Sequence, residues 1–147
     1  MDFQAALAYL DEHMTYQKTG RIDSPSIEPI LAICGALGDP HLSAPVIHVT
    51  GTNGKGSTVQ MISRLLAAQG LTVGTYTSPH LESVTERFRR NGESITEDEL
   101  AEQIRAVAEV APLVGQDPGY FEILTAAAFR WFADIAVDVM VIEVGLL

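Results

Sequence analysis

Apolar residues recur at helical spacing in five segments of the chain, which are separated by polar stretches containing glycine and proline. Asp2 can cap the first predicted helix, and Gly38 and Gly70 follow the second and third as stop signals. Thr96 and Glu99 form a capping box at the start of the fourth. The predicted helices cover approximately residues 3–14, 26–37, 57–69, 97–110 and 120–135.

Three short runs of β-branched and other apolar residues alternate with these helices, at residues 44–50, 71–76 and 137–144. Such runs are typical of parallel strands that are buried on both faces. Strands that alternate with helices predict an α/β fold, in which helices cover both faces of a parallel sheet. The polar segments 15–26 and 77–95 are predicted to be loops, and the length of the first makes it a candidate functional segment.

Composition and charge narrow the class of protein. The length of 147 residues suits one compact domain. The net charge of -10 argues against a nucleic-acid partner, because affinity for the phosphate backbone depends on clustered Lys and Arg. Cys34 is the only cysteine, so no intramolecular disulfide can form. No apolar run approaches the ~20 residues that a membrane span needs, and the N-terminus lacks a signal peptide's basic region. We therefore expect a soluble cytoplasmic protein.

The first predicted strand leads directly into a glycine-rich loop and a helix. The loop and the start of the helix comprise Gly51, Thr52, Asn53, Gly54, Lys55, Gly56, Ser57 and Thr58. Backbone N–H groups and the positive end of the helix dipole converge there, and glycines let the chain curl around a phosphate. Lys55 can reach the outer phosphates, while Ser57 and Thr58 offer hydroxyls to phosphate or metal. The strict Walker pattern is not met, since Val49 and Gly56 occupy two of its defined positions. The flanking strand and helix nevertheless favour a phosphate-binding loop over a chance turn.

A carboxylate, Glu143, ends the last apolar strand, and the second strand delivers the segment 77–80 to the same edge of the sheet. Ligands bind at the carboxyl ends of the strands in open parallel sheets. Mg²⁺ prefers oxygen ligands near the outer phosphates. We therefore interpret Glu143 as a metal ligand rather than a simple surface charge.

Several separated segments together resemble the folylpolyglutamate synthase and dihydrofolate synthase family, which belongs to the Mur ligase superfamily. In chain order they are Val49 to Ser57, Tyr76 to Leu81, Glu86-Arg87-Phe88 with Asn91-Gly92, Phe121-Glu122 with Thr125, and Glu143-Val144-Gly145. The resemblance implies an ATP-dependent amide ligase that joins L-glutamate to dihydropteroate or a folate through an acyl phosphate. It also implies that the protein is a monomer.

The same resemblance implies roles for individual residues. Asn53, Gly54, Lys55 and Gly56 would surround ATP, with Lys55 catalytic, and Ser78 and Glu143 would hold Mg²⁺. Contacts to the pterin are implied for Ile22, Asp23, Tyr120 and Phe121, with core packing as the alternative for the two aromatic residues. The basic cluster of Arg87, Arg89 and Arg90 is either a site for a substrate anion or a solvated loop.

The family continues beyond Glu143-Val144-Gly145 into segments that this sequence lacks, because it stops at Leu147. We therefore expect residues 1–147 to be an incomplete N-terminal ATP-binding domain without the C-terminal glutamate-binding domain, and to be inactive alone. The alternatives are a nucleotide-binding module without ligase activity and another Mur-type ligase. We also expect a marginal fold in which Leu146, Leu147 and the last strand leave apolar surface partly open.

Overall fold

The computed structural model describes residues 1–14 and 26–143. Its helices are α1 (Phe3–Glu12), α2 (Glu28–Ala36), α3 (Lys55–Ala68), α4 (Glu97–Val110) and α5 (Tyr120–Asp134). Its strands are β1 (Val46–Val49), β2 (Val73–Tyr76), β3 (Phe88–Arg90), β4 (Glu93–Ser94) and β5 (Val139–Glu143). Each predicted helix and strand is confirmed, with bounds that differ by no more than a few residues. None of the helices in the described ranges is long and apolar enough to cross a membrane.

The chain forms two compact units. The first contains the described residues of Met1–His41 and Glu97–Trp131, and the second contains Leu42–Thr96 and residues 132–143. In the first unit α1 packs on α4, and the side chain of Asp2 accepts a hydrogen bond of 2.8 Å from the N–H of Ala5, as its predicted capping role requires.

The second unit is built on a five-stranded sheet with the order β1-β5-β2-β3-β4. β5 pairs in parallel with both β1 and β2, whereas β3 pairs antiparallel with β2 and with β4. The predicted parallel sheet is thus confirmed for the three apolar strands. The prediction of a loop over 77–95 is wrong at β3 and β4, which are short and charged and show no apolar alternation. Their turn, Asn91-Gly92, has positive φ at both residues, as a tight hairpin requires.

Different residues cover the two faces of this sheet. Val59 of α3 packs with Val73 and Val141 in one buried cluster. On the other face Phe132, at the end of α5, lies against Gly74, where an added Cβ would come within 2.5 Å of the ring. Glycine at this position therefore lets a fully buried aromatic ring approach the strand closely.

The last strand does not leave apolar surface open, so that expectation is wrong. β5 lies between β1 and β2, and each of its five residues is buried. The exposed apolar residue at the edge is Val46, in β1. Leu146 and Leu147 lie outside the described residues.

Candidate phosphate and metal site

The glycine-rich loop has the backbone geometry that anion binding needs. Gly51 and Gly54 have φ of 136° and 73°, in the left-handed region that favours glycine. Gly54 is the N-cap of α3, and within the described part of the chain no side chain caps that helix. A Cβ added at Gly51, Gly54 or Gly56 would meet no heavy atom within 4 Å. The first N–H groups of α3 therefore border open space at the positive end of the helix dipole.

The helix begins at Lys55, two residues before its predicted start. Lys55 and Gly56 consequently belong to the first helical turn, where the dipole acts most strongly on a bound anion. Thr52, Asn53 and Ser57 are exposed around them. This arrangement places the predicted phosphate contacts on one short segment.

The hydroxyl of Thr58, which is predicted to be available to phosphate or metal, also has a partner in the helix backbone. Its Oγ1 donates a hydrogen bond of 2.8 Å to the carbonyl oxygen of Gly54, which also accepts the backbone N–H of Thr58 at 3.0 Å. The hydroxyl proton of Thr58 thus binds the helix backbone. Of the two predicted hydroxyls, the exposed Ser57 is the better placed for a bound phosphate.

The predicted metal ligands Ser78 and Glu143 are in direct contact. The backbone N–H of Ser78 donates a hydrogen bond of 2.6 Å to Oε2 of Glu143, whose side chain is buried. Glu143 pairs in register with Val49, two residues before Gly51. The carboxylate therefore lies at the strand end beside the start of the glycine loop, as the parallel pairing of β1, β5 and β2 requires.

The donor atoms of this pair suit Mg²⁺, which prefers carboxylate and hydroxyl oxygens. Among the described residues, there is no group of three or more His, Cys, Asp or Glu side chains that could enclose a metal ion. A nucleotide-bound Mg²⁺ needs only one or two protein ligands, because phosphate and water oxygens complete its coordination. A buried carboxylate with one neighbouring hydroxyl residue fits that requirement.

The segment that follows Ser78 is held by the carboxylate of Glu86. Glu86 accepts backbone hydrogen bonds from Leu81, Glu82 and Ser83 at 2.8–2.9 Å. These bonds lower the pKa of the Glu86 carboxyl to about 2. The pattern of the sequence did not indicate this clamp, although a Ser three residues before a Glu is the signature of the capping box observed at Ser83.

The three arginines of the basic cluster lie in different environments. Arg87 is buried and its Nε donates a hydrogen bond of 2.8 Å to Nδ1 of His80, so it belongs neither to a solvated loop nor to an open anion site. Burial, followed by the charge of Arg87, lowers the pKa of His80. Arg89 and Arg90 lie on β3. The segment 78–83 is thus fixed by two side chains of the turn Val84–Arg87.

The predicted pterin contacts Tyr120 and Phe121 belong to the first compact unit, whereas the phosphate and metal site belongs to the second. Tyr120 and Phe121 begin α5 in the first compact unit, and their rings meet edge to face at 5.6 Å. Tyr120 is buried, in agreement with the core-packing alternative, whereas Phe121 is half-buried. Ile22 and Asp23 lie outside the described residues.

Comparison with known proteins gives consistent relatives, although no family model matches the chain. The folylpolyglutamate synthase of Lacticaseibacillus casei is 38% identical over 151 residues, which cover 99% of this chain and 34% of that protein. The structure of Mycobacterium tuberculosis folylpolyglutamate synthase complexed with ADP matches with a TM-score of 0.86 and 37% identity, over 99% of this chain and 33% of that one. A bifunctional folylpolyglutamate synthase/dihydrofolate synthase with Mn, AMPPNP and L-glutamate bound matches with a TM-score of 0.87 and 31% identity, over 99% of this chain and 34% of that one.

The fold and the glycine loop define an α/β domain of the phosphate-loop class. Within that class, folylpolyglutamate synthases and dihydrofolate synthases are homologues of this chain over nearly its whole length. It spans about a third or less of the length of the curated relatives that it matches.

Proposed function

We propose that this chain forms the Mg-ATP-binding part of an ATP-dependent ligase that adds L-glutamate to dihydropteroate or a folate through an acyl phosphate. The observation that carries the proposal is the contact between Ser78 and Glu143 at the strand end beside the glycine loop. The relatives support it, since their structures contain ADP, or Mn with AMPPNP and L-glutamate.

The residues of the loop would act by binding and by electrostatics. The N–H groups at the start of α3 and the ammonium of Lys55 would hold the β- and γ-phosphates. Ser78 and Glu143 would hold Mg²⁺, which when bound neutralises charge on the phosphoryl oxygens. Such fixed positive groups stabilise the charge that spreads over these oxygens while the γ-phosphoryl group moves to an acceptor carboxylate.

We propose that residues 1–147 constitute the ATP-binding part of the enzyme and that glutamate is bound by another part, because the relatives are about three times as long or longer. On this account the chain alone binds Mg-ATP without turnover. We also propose that the protein is monomeric and cytoplasmic and that it makes the pterin contacts predicted from its sequence.

The decisive assay is ADP formation by the purified chain with Mg-ATP, dihydropteroate and L-glutamate, with Lys55→Ala as the control. We expect no turnover and retained, Lys55-dependent ATP binding. Turnover that requires both dihydropteroate and glutamate would contradict the proposed inactivity of the isolated chain and confirm the ligase chemistry. Turnover with an amino-sugar peptide instead of dihydropteroate would favour another Mur-type ligase and contradict the proposed substrate.

The second candidate is a nucleotide-binding module that serves no ligase. It is supported by the position of all the proposed phosphate and metal contacts within this chain. The two candidates differ when the chain is joined to the remaining part of a relative such as the Lacticaseibacillus casei enzyme. Glutamate- and pterin-dependent ADP release by the chimera would support the ligase, whereas Mg-ATP binding without such release would favour the module.

A further inference from the structure

A groove runs along α3 on the sheet face that this helix covers. Its volume is about 560 Å³, and its walls include Val59, Ser63, Arg64, Thr75 and Arg89. From Val59 to Ala67, which also lines it, α3 advances by about 12 Å, at ~1.5 Å per residue. The groove therefore extends along α3 away from the phosphate loop.

The floor of this groove changes from apolar to polar across the sheet. Val141 of β5 and Val73 of β2 belong to the buried cluster beneath α3. Thr75 follows on the same face of β2 and is only 4% exposed, and Ser63 of α3 is 6% exposed. Two buried hydroxyl residues thus interrupt an otherwise apolar contact between helix and sheet, on the side toward β3.

The rim of the groove carries positive charge. Arg89 is the register partner of Thr75, so its side chain leaves β3 on the face that α3 covers. Its Nε donates a hydrogen bond of 3.1 Å to the carbonyl oxygen of Glu86, which orients the guanidinium. Arg64 lines the opposite wall from α3, and Glu93 is a carboxylate in the same lining. Two of the nine basic residues of a chain with net charge -10 therefore line one groove.

We propose that this groove binds a small organic anion. A carboxylate or phosphate group would lie between the guanidinium groups of Arg64 and Arg89, which match the geometry of such oxygens. The buried hydroxyls of Ser63 and Thr75 line the floor below, and Val59 and Ala67 offer apolar surface to the rest of the ligand. This site is separate from the glycine loop and does not depend on the proposed ligase function.

The test is a titration of the folded chain with phenyl phosphate, benzoate and inorganic phosphate, followed by amide chemical shifts in two-dimensional NMR spectra. We expect saturable binding of at least one organic anion, with the largest shifts at Ser63, Thr75 and Arg89. Tighter binding of phenyl phosphate would assign a phosphate ligand, and tighter binding of benzoate a carboxylate. No saturable binding of any of the three probes would overturn the proposal.

Variants distinguish this groove from general attraction between an anion and arginine. Arg64→Gln and Arg89→Gln should each weaken binding of the preferred probe by roughly tenfold or more, because each removes a charged hydrogen-bond donor. Arg90→Gln is the matched control, since Arg90 is exposed on the same short strand and does not line the groove. Arg64 is exposed on α3, so its substitution leaves the buried core unchanged.

A third comparison tests whether the probe binds in the groove rather than at the phosphate loop. The Lys55→Ala variant should bind the probe as the unaltered chain does, and a saturating Mg-ATP analogue should not displace it. Equal losses in Arg90→Gln and Arg89→Gln, or displacement by the nucleotide, would overturn the assignment of the anion to this groove.

Discussion

The backbone N–H of Ser78 donates a hydrogen bond of 2.6 Å to Oε2 of Glu143, and this bond joins residues just beyond β2 and at the end of β5. The two strands pair in parallel, with Tyr76 opposite Ile142. The bond therefore fixes the carboxylate at the carboxyl ends of the parallel strands, where the glycine loop begins.

Glu143→Gln tests the metal role of the carboxylate. The amide keeps the size of the side chain and an oxygen that can accept the bond from Ser78, but it loses the negative charge that Mg²⁺ prefers. Substitution of a residue that only supports a metal ligand typically weakens metal binding by roughly ten- to hundredfold. We expect the Mg²⁺-dependent part of ATP affinity to fall by at least that factor, because Glu143 would bind the metal itself. Calorimetric titrations with ATP, with and without Mg²⁺, measure it.

The control for that experiment is Glu82→Gln, which removes an exposed carboxylate from the segment that follows Ser78. It should leave the effect of Mg²⁺ on ATP affinity unchanged. If Glu143→Gln responds to Mg²⁺ as strongly as the unaltered chain, Glu143 is not a metal ligand.

Glu86→Gln tests the clamp on the segment that follows Ser78. The backbone hydrogen bonds hold the pKa of Glu86 at about 2, below the ordinary value of 4.5. The stabilisation is thus fully present above pH 4.5 and is lost as the pH falls toward 2. We expect the variant to have a lower urea midpoint of unfolding than the unaltered chain at pH 6. We also expect its midpoint to decrease less between pH 6 and pH 3. Equal losses on acidification in both proteins would exclude the clamp as a source of acid sensitivity.

Gly74→Ala tests the close approach of the Phe132 ring to β2. The added methyl group would lie 2.5 Å from Cδ1 of Phe132, which is fully buried and has little room to move. We expect the free energy of unfolding to fall by about 1–3 kcal/mol, the usual cost of overpacking a core. Gly35→Ala in α2 is the control, since its Cβ would meet nothing within 4 Å and alanine favours a helix. Similar unfolding free energies for the two variants would contradict the observed packing.

The parts of the site that the sequence predicted follow from local patterns and sheet geometry. A β-branched run, a glycine loop and an amphipathic helix identify β1, Gly54 and α3 without any long-range information. The proximity of Glu143 to the segment that contains Ser78 follows because parallel strands place their carboxyl ends at one edge.

The parts that the sequence did not predict depend on pairings between distant or weakly patterned residues. β3 is three residues long and two of them are arginines, so no alternation of apolar residues marks it. Because the sequence does not indicate β3, neither the pairing of Arg89 with Thr75 nor the groove along α3 could be predicted from it. The hydrogen bond from the Thr58 hydroxyl to Gly54 was not predicted either, although the hydroxyl of a helical threonine can donate to the carbonyl four residues earlier.

The most direct test of the central claim is calorimetric titration of the purified chain with Mg-ATP, compared with Lys55→Ala. The account requires one saturable site whose affinity falls by roughly tenfold or more in the variant, because a charged donor to the phosphates is removed. Saturable binding that survives this substitution unchanged, or the absence of binding by a folded chain, would contradict the assignment of the glycine loop as the nucleotide site.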